Sequence, residues 1–328
     1  MIRVVFILYL SLSVIAQSAA QKIVEHYQYK PDSLRIGKGP KDFLPFGEKG
    51  YTLVLPAGGT PVGTVISLED VRLSGKDSIK YLSLKEEALK KGMAFLVIST
   101  GVPVDLYFTD DSMAFVDGQL QSIFATNHLP NKNIFFLGVM VSGHRALKYI
   151  EYCKNNKSGF NPAIRGLVLA ESAIDWVRQW YECQKQVRDH LTKSGFFEGN
   201  LISYLFAENL KATPVTDMQK YIDFSPYSYF DTEMKKPKLY EGLSIRAYTY
   251  ADIRYWFSAP GKGVYDSNYP DMSGFINEQK LAGNKNAELI VFHSDTDDKL
   301  KNQLRPQSAT WDLVDKAELT DWMLRQSR

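Results

Sequence analysis

The sequence predicts an α/β fold, a mostly parallel central sheet with helices on both faces and a helical insertion late in the chain. Three observations carry the prediction. Short apolar runs alternate with amphipathic segments of helical period along most of the chain. One of those runs, MAFLVIST at 93–100, is apolar almost throughout, as a strand buried on both faces requires. Between residues 172 and 240 the strand-like runs stop, and aromatic residues recur on helix-like segments instead.

The chain opens with MIRVVFILYLSLSVIAQSAA, in which Arg3 precedes an apolar run at 4–15 and small residues lead to Ala20. That run is too short to span a bilayer comfortably, and the pattern reads as a secretory signal peptide over residues 1–20. An exported chain, secreted or periplasmic, is therefore expected. Residues 51–56 (YTLVLP) and 64–68 (TVISL) read as strands joined by the turn AGGTPVG. A helix over 80–91, a buried strand at 93–100 and a helix from Asp110 or Asp111 to about 129 follow. A strand at 133–139, a helix at 143–154 and a strand at 164–170 complete the first part of the core, residues 21–171. Residues 172–240 read as a helical cap. Its aromatic residues, among them Trp176, Trp180, Tyr181, Phe196, Phe197, Tyr204 and Phe206, read mainly as core, with a few left to line a pocket. Residues 241–328 return to the core, with strands at 243–250 and 287–292, a helix at 273–281 between them and a last helix at 316–324.

Charge excludes some functions. The 39 basic and 37 acidic residues are mixed along the chain, leaving +2 and no basic stripe, so nucleic acid is not an expected partner. No segment after the leader is long and apolar enough to span a membrane. Asp295, Asp297 and Asp298 lack the glycine and distal glutamate of a calcium loop, and no His/Cys spacing suits zinc, so no metal or cofactor is expected. Cys153 and Cys183 are open to two readings, a pair in an oxidising compartment or two free thiols.

The stretch FFLGVMVSGHRALKYI at 135–150 reads as a buried strand, a tight bend and a helix. In such a bend the residues two before and two after the tip must be small, because strand and helix touch there. With Met140 at the tip the flanks are Gly138 and Ser142, and Gly143 follows; with Ser142 at the tip they are the bulky Met140 and His144. Sterics favour the first frame. No phosphate-loop spacing is present, and Gly261-Lys262-Gly263 and Gly58-Gly59 read as simple turns.

The element order, this bend and the inserted cap resemble the α/β-hydrolase superfamily, and in particular its secreted serine esterases and peptidases. The usual G-x-S-x-G stands here as Gly138-Val139-Met140-Val141-Ser142. The resemblance implies a nucleophile at position 140, where a thioether has no ionisable proton to lose. It implies an acid after the next-to-last strand, at Asp252, and a histidine in the loop after the last strand. The histidines are His26, His128, His144, His190 and His293; His293 stands at the strand's edge, and Gln307 occupies the place of the histidine in a Pro-His-Ser-Trp-like motif. The oxyanion donors implied are the backbone of Val141 and of Glu69 or Asp70. Together these features predict a catalytically impaired hydrolase-fold protein that binds a small acyl or peptide-like molecule or a protein partner. The alternative is an active carboxylic-ester or peptide hydrolase using Ser142 with Asp252 and His293 or His144.

Overall fold

Strands form where apolar residues run on without a break. The computed structural model describes residues 21–28, 49–70, 73, 79–102, 105–258, 261–293 and 310–327. The leader at 1–20, the acidic cluster at 295–298 and Gln307 lie outside the described residues. Eight strands make one sheet in the order β1-β2-β4-β3-β5-β6-β7-β8. They are β1 (Lys22–Gln28), β2 (Lys49–Leu55), β3 (Thr64–Leu68), β4 (Ala94–Thr100), β5 (Ile134–Val139), β6 (Ile164–Ala170), β7 (Ser244–Tyr250) and β8 (Ala287–Phe292). β1 and β2 run antiparallel at one edge, and the pairs from β4 to β8 are parallel. The edge strand β1 is not evident in the sequence, because most of its residues face solvent and it carries no buried run.

The helices are α1 (Ile79–Lys90), α2 (Asp110–Thr126), α3 (Val141–Lys154), α4 (Trp176–Asp189), α5 (Lys193–Leu210), α6 (Met218–Phe224), α7 (Ile253–Ser258), α8 (Tyr269–Leu281), α9 (Thr310–Leu313) and α10 (Lys316–Gln326). α8 starts earlier than the sequence reading, with Pro270 in its first turn, where a missing N–H is harmless. Alternate strand residues feed two cores. Ile66, Leu96, Phe136, Leu167 and Ile245 pack with α2, α3 and α8 on one face. Val65, Phe95, Phe135, Val168 and Tyr248 pack with α1 and α10 on the other.

Between β6 and β7 the chain leaves the sheet for α4, α5 and α6. These helices enclose a third core of Trp176, Val177, Cys183, Ile202, Phe206, Tyr221 and Phe224, closed from below by Leu106 and Phe108 of the loop after β4. Phe108 stacks on Phe224 at 4.6 Å, and Phe206 on Tyr221 at 5.1 Å. Tyr181, Phe196 and Phe197 stay partly exposed, so the cap's aromatic residues divide between core and surface. Cys153 and Cys183 are unpaired, which closes the disulfide reading for this structure. Among the described residues no helix is long and apolar enough to cross a membrane, and no group of metal-binding side chains forms.

Candidate functional site at the C-terminal edge of the sheet

The parallel strands deliver their C-terminal ends to one edge, and β5 ends there in the bend. Met140 has φ 58° and ψ −122°, a backbone region that a non-glycine residue occupies only when its surroundings force it. The forcing is visible. Met140 N–H donates to the Ala170 carbonyl at 2.8 Å, and Gly143 N–H donates to the Met140 carbonyl at 3.1 Å. A Cβ on Gly138 would fall 2.1 Å from the Gly143 Cα, and a Cβ on Gly143 would fall 1.9 Å from Ser172 Oγ. Strand and helix therefore touch through two glycines, and Met140 projects from the bend with its side chain 45% exposed. Val141 opens α3, where a helix leaves its first N–H groups without intrahelical acceptors.

Ser142 sits differently. It is fully buried; its Oγ accepts from Val139 N–H at 2.8 Å and donates to the Val139 carbonyl at 2.9 Å. This hydroxyl braces the bend. His144 is also fully buried, and both ring nitrogens are engaged away from Ser142. The Trp176 indole N–H donates to Nδ1 at 2.9 Å, so Nε2 carries the proton and donates to the Leu106 carbonyl at 2.8 Å. Burial, followed by the positive charge of Lys148, holds the imidazole well below the usual histidine range. The structure thus corrects one part of the alternative sequence reading: His144 pins α3 to the cap and does not serve Ser142 as a base.

Asp252 follows β7 and is 4% exposed. It accepts from Arg254 N–H at 3.0 Å and from Arg254 Nε at 3.2 Å. His293 directly follows β8, and because Phe292 pairs with Tyr250, it shares this edge with Asp252. The loop after β3 departs from expectation at Glu69, whose N–H donates to the Ile98 carbonyl at 3.0 Å and so is not offered to a ligand. The Glu69 carboxylate accepts from the Tyr81 hydroxyl and pairs with Lys80 at 3.0 Å. Asp70 pairs with the buried Arg145 at 2.6 Å, and Arg145 also donates to the carbonyls of Asp105 and Leu68. One guanidinium thereby ties α3 to the loops after β3 and β4.

Sequence reasoning missed Glu171. It follows β6 directly, is 2% exposed and has φ 47°. Its Oε1 accepts from Thr310 Oγ1 at 2.7 Å, Thr249 Oγ1 at 3.1 Å and Tyr250 N–H at 2.5 Å. Burial is the largest influence on it and outweighs these donors, raising its pKa from the ordinary 4.5 to about 7. The available signal was positional, a carboxylate directly after the apolar run GLVLA at 166–170.

The raised value has a measurable consequence. The folded chain holds a proton that the unfolded chain releases once pH passes 4.5, so neutral Glu171 contributes its stability fully below pH 4.5. That contribution falls as pH rises to about 7 and is gone above it. Thermal melts at pH 5 and pH 7.5 should show a fall in Tm that is clearly smaller in Glu171→Gln. Equal falls in the two proteins would refute the assignment.

No family model matches the chain, and no curated protein sequence does. Solved structures do. Esterase B from Lactobacillus rhamnosis superposes with a TM-score of 0.53 at 11% identity, covering 92% of this chain and 85% of the other. This chain has the α/β-hydrolase fold. Carboxyl esterase 2 from the mycorrhizal fungus Tuber melanosporum gives a TM-score of 0.53 at 12% identity, covering 97% of this chain and 89% of that one. MPT51 (FbpC1) of Mycobacterium tuberculosis gives 0.51 at 10% identity, covering 93% and 99%. The likeness to these structures extends over nearly the whole of this chain.

Proposed function

We propose that this chain is an exported α/β-hydrolase-fold protein descended from serine esterases or peptidases, no longer an acyl-transfer catalyst, and working by binding. One observation carries the reading: the residue in the strained, exposed position at the end of β5 is Met140. In a nucleophile elbow that position holds the attacking oxygen or sulfur. A methionine thioether has no proton to give up, and attack through it would leave a sulfonium rather than an acyl ester. Ser142 offers no substitute, since its hydroxyl is buried against Val139.

The bend keeps its polar character without the nucleophile. The N-terminus of α3 at Val141 presents backbone N–H donors and the positive end of the helix dipole, which suits a carbonyl or carboxylate oxygen. Asp252, and Gln307 outside the described residues, take the acid and histidine positions in this reading. Glutamine hydrogen-bonds but does not act as a general base near neutral pH. A small acyl or peptide-like molecule, or a chain end of a protein partner, fits such a notch.

The test is labelling of purified protein with a fluorophosphonate serine-hydrolase probe, with Ser142→Ala alongside and circular dichroism to establish that both are folded. No labelling of either is expected. Labelling that disappears in Ser142→Ala would overturn the proposal and restore the active-hydrolase alternative.

A further inference from the structure

A second recess lies apart from the bend. A cleft of about 1040 Å³ opens between α4, the turn at 227–230 and the segment 261–277, and neither Met140, Val141, Ser142, Asp252 nor His293 lines it. Its volume stands at the upper end of small-molecule sites. The charged groups in its walls are already engaged. Arg178 is paired with Asp271, with Nη2 at 2.9 Å from Oδ2, and Lys185 is paired with Asp266 at 2.6 Å. Lys262 stands over the Trp256 ring at 5.8 Å. Asp175 accepts from Tyr229 N–H at 2.9 Å, Val177 N–H at 3.0 Å and Ser228 Oγ at 3.2 Å. Glu182 accepts from the amides of Gln179 and Gln186.

An ionic ligand finds no vacant counter-charge in this arrangement. Burial has raised Asp175 to about 6 and Glu182 to about 7, so the walls resist added negative charge. Asp271 and Asp266 are held by Arg178 and Lys185, so neither carboxylate is left over for a cation. What the cleft leaves unused is aromatic surface. Tyr229 is 79% exposed, Tyr265 80%, Tyr181 45% and Phe230 42%. Isolated exposed rings are ordinary on a protein surface, but these four gather on one concave surface from three walls, Tyr181 on α4, Tyr229 and Phe230 on the turn and Tyr265 on the segment after it.

We propose that this cleft binds a neutral carbohydrate, an oligosaccharide rather than a single sugar. A pyranose ring presents a face of polarised C–H bonds, which suits the negative face of a tyrosine ring, and a rim of hydroxyls. Tyr229 and Tyr265 supply the ring faces, and Ser273 and Asn277 supply neutral polar groups along the wall. Gly263 lines the same space with φ −148°, a backbone that any residue adopts. A Cβ there would meet only Asp266 Oδ2, at 3.9 Å, so a bulky side chain at 263 would enter the cleft without straining the loop.

The test is titration calorimetry of the full chain with neutral hexasaccharides of gluco-, manno-, xylo- and N-acetylglucosamine type, with tetraethylammonium and a hexuronic-acid oligomer as charged controls. At least one neutral hexasaccharide is expected to bind. Tyr229→Ala and Tyr265→Ala should each weaken it by about fivefold or more, with Tm unchanged because both rings are exposed. Gly263→Trp should abolish it. Binding of none of the neutral hexasaccharides, binding of a charged control alone, or undiminished binding by Gly263→Trp would overturn the proposal. The cleft does not depend on Met140, so fluorophosphonate labelling, were it found, would leave this result untouched.

Discussion

Gly138→Ala should destabilise the chain by about 3 kcal/mol or more, enough to remove most soluble protein at 37 °C. The added methyl carbon would sit 2.1 Å from the Gly143 Cα and 2.5 Å from the Gly143 nitrogen, and both are backbone atoms with no rotamer to change. Relief would need α3 to lift off the sheet, which breaks the Met140 and Gly143 backbone hydrogen bonds together. Gly143→Ala provides the contrast. Its clash is chiefly with the Ser172 side chain, with Oγ at 1.9 Å and Cβ at 2.5 Å, so adding Ser172→Gly should recover a large part of the loss. Urea midpoints for the three variants check this. Equal stability of Gly138→Ala and the parent would show that strand and helix are not in contact at this bend.

The second large effect is expected at Asp271. This carboxylate is 1% exposed and accepts from Ile174 N–H at 2.9 Å, Asp175 N–H at 3.0 Å and both Nε and Nη2 of Arg178. Asp271→Ala removes one member of a buried pair, leaves a guanidinium uncompensated and orphans two backbone donors. A loss of about 3–5 kcal/mol follows. Arg178→Met combined with Asp271→Ala should lose less than Asp271→Ala alone, because no buried cation is then left unpaired. The double variant should not return to the parent value, because the Ile174 and Asp175 donors stay unsatisfied. A chemical-denaturation cycle over the four proteins reads out both statements: additivity of the two substitutions would contradict the first, and a double variant as stable as the parent the second.

How much of this was legible in the sequence follows from what each feature depends on. Strands such as β4 and β5 are readable because burial on both faces leaves a nearly unbroken apolar run in their own residues. β1 escapes because an exposed edge strand imposes no such run. The bend is readable because backbone contact at Gly138 and Gly143 tolerates only the smallest residues, which spacing alone reveals. Glu171 and Asp271 are not readable in the same way. Their character comes from residues far off in the chain, Thr310 for the first and Arg178 for the second. The Glu69 donor was misassigned for a related reason, since the ladder that consumes its N–H is set by the register of β3 with β4. The cleft is more hidden still, assembled from α4, the turn at 227–230 and the segment 261–277, none of which carries a motif.

The hydrogen bond from Trp176 to His144 also bears on how the molecule melts. His144 belongs to the helix that follows the bend, Trp176 opens the first helix of the cap, and Leu106, whose carbonyl accepts from the imidazole Nε2–H, comes from the loop after β4. Detaching the cap would part the Trp176 indole N–H from His144 Nδ1 and would expose to water the apolar interior that Leu106 and Phe108 share with the cap helices. Sheet and cap are therefore coupled through a shared interior, so heat should take both apart in a single transition rather than release one as a lid.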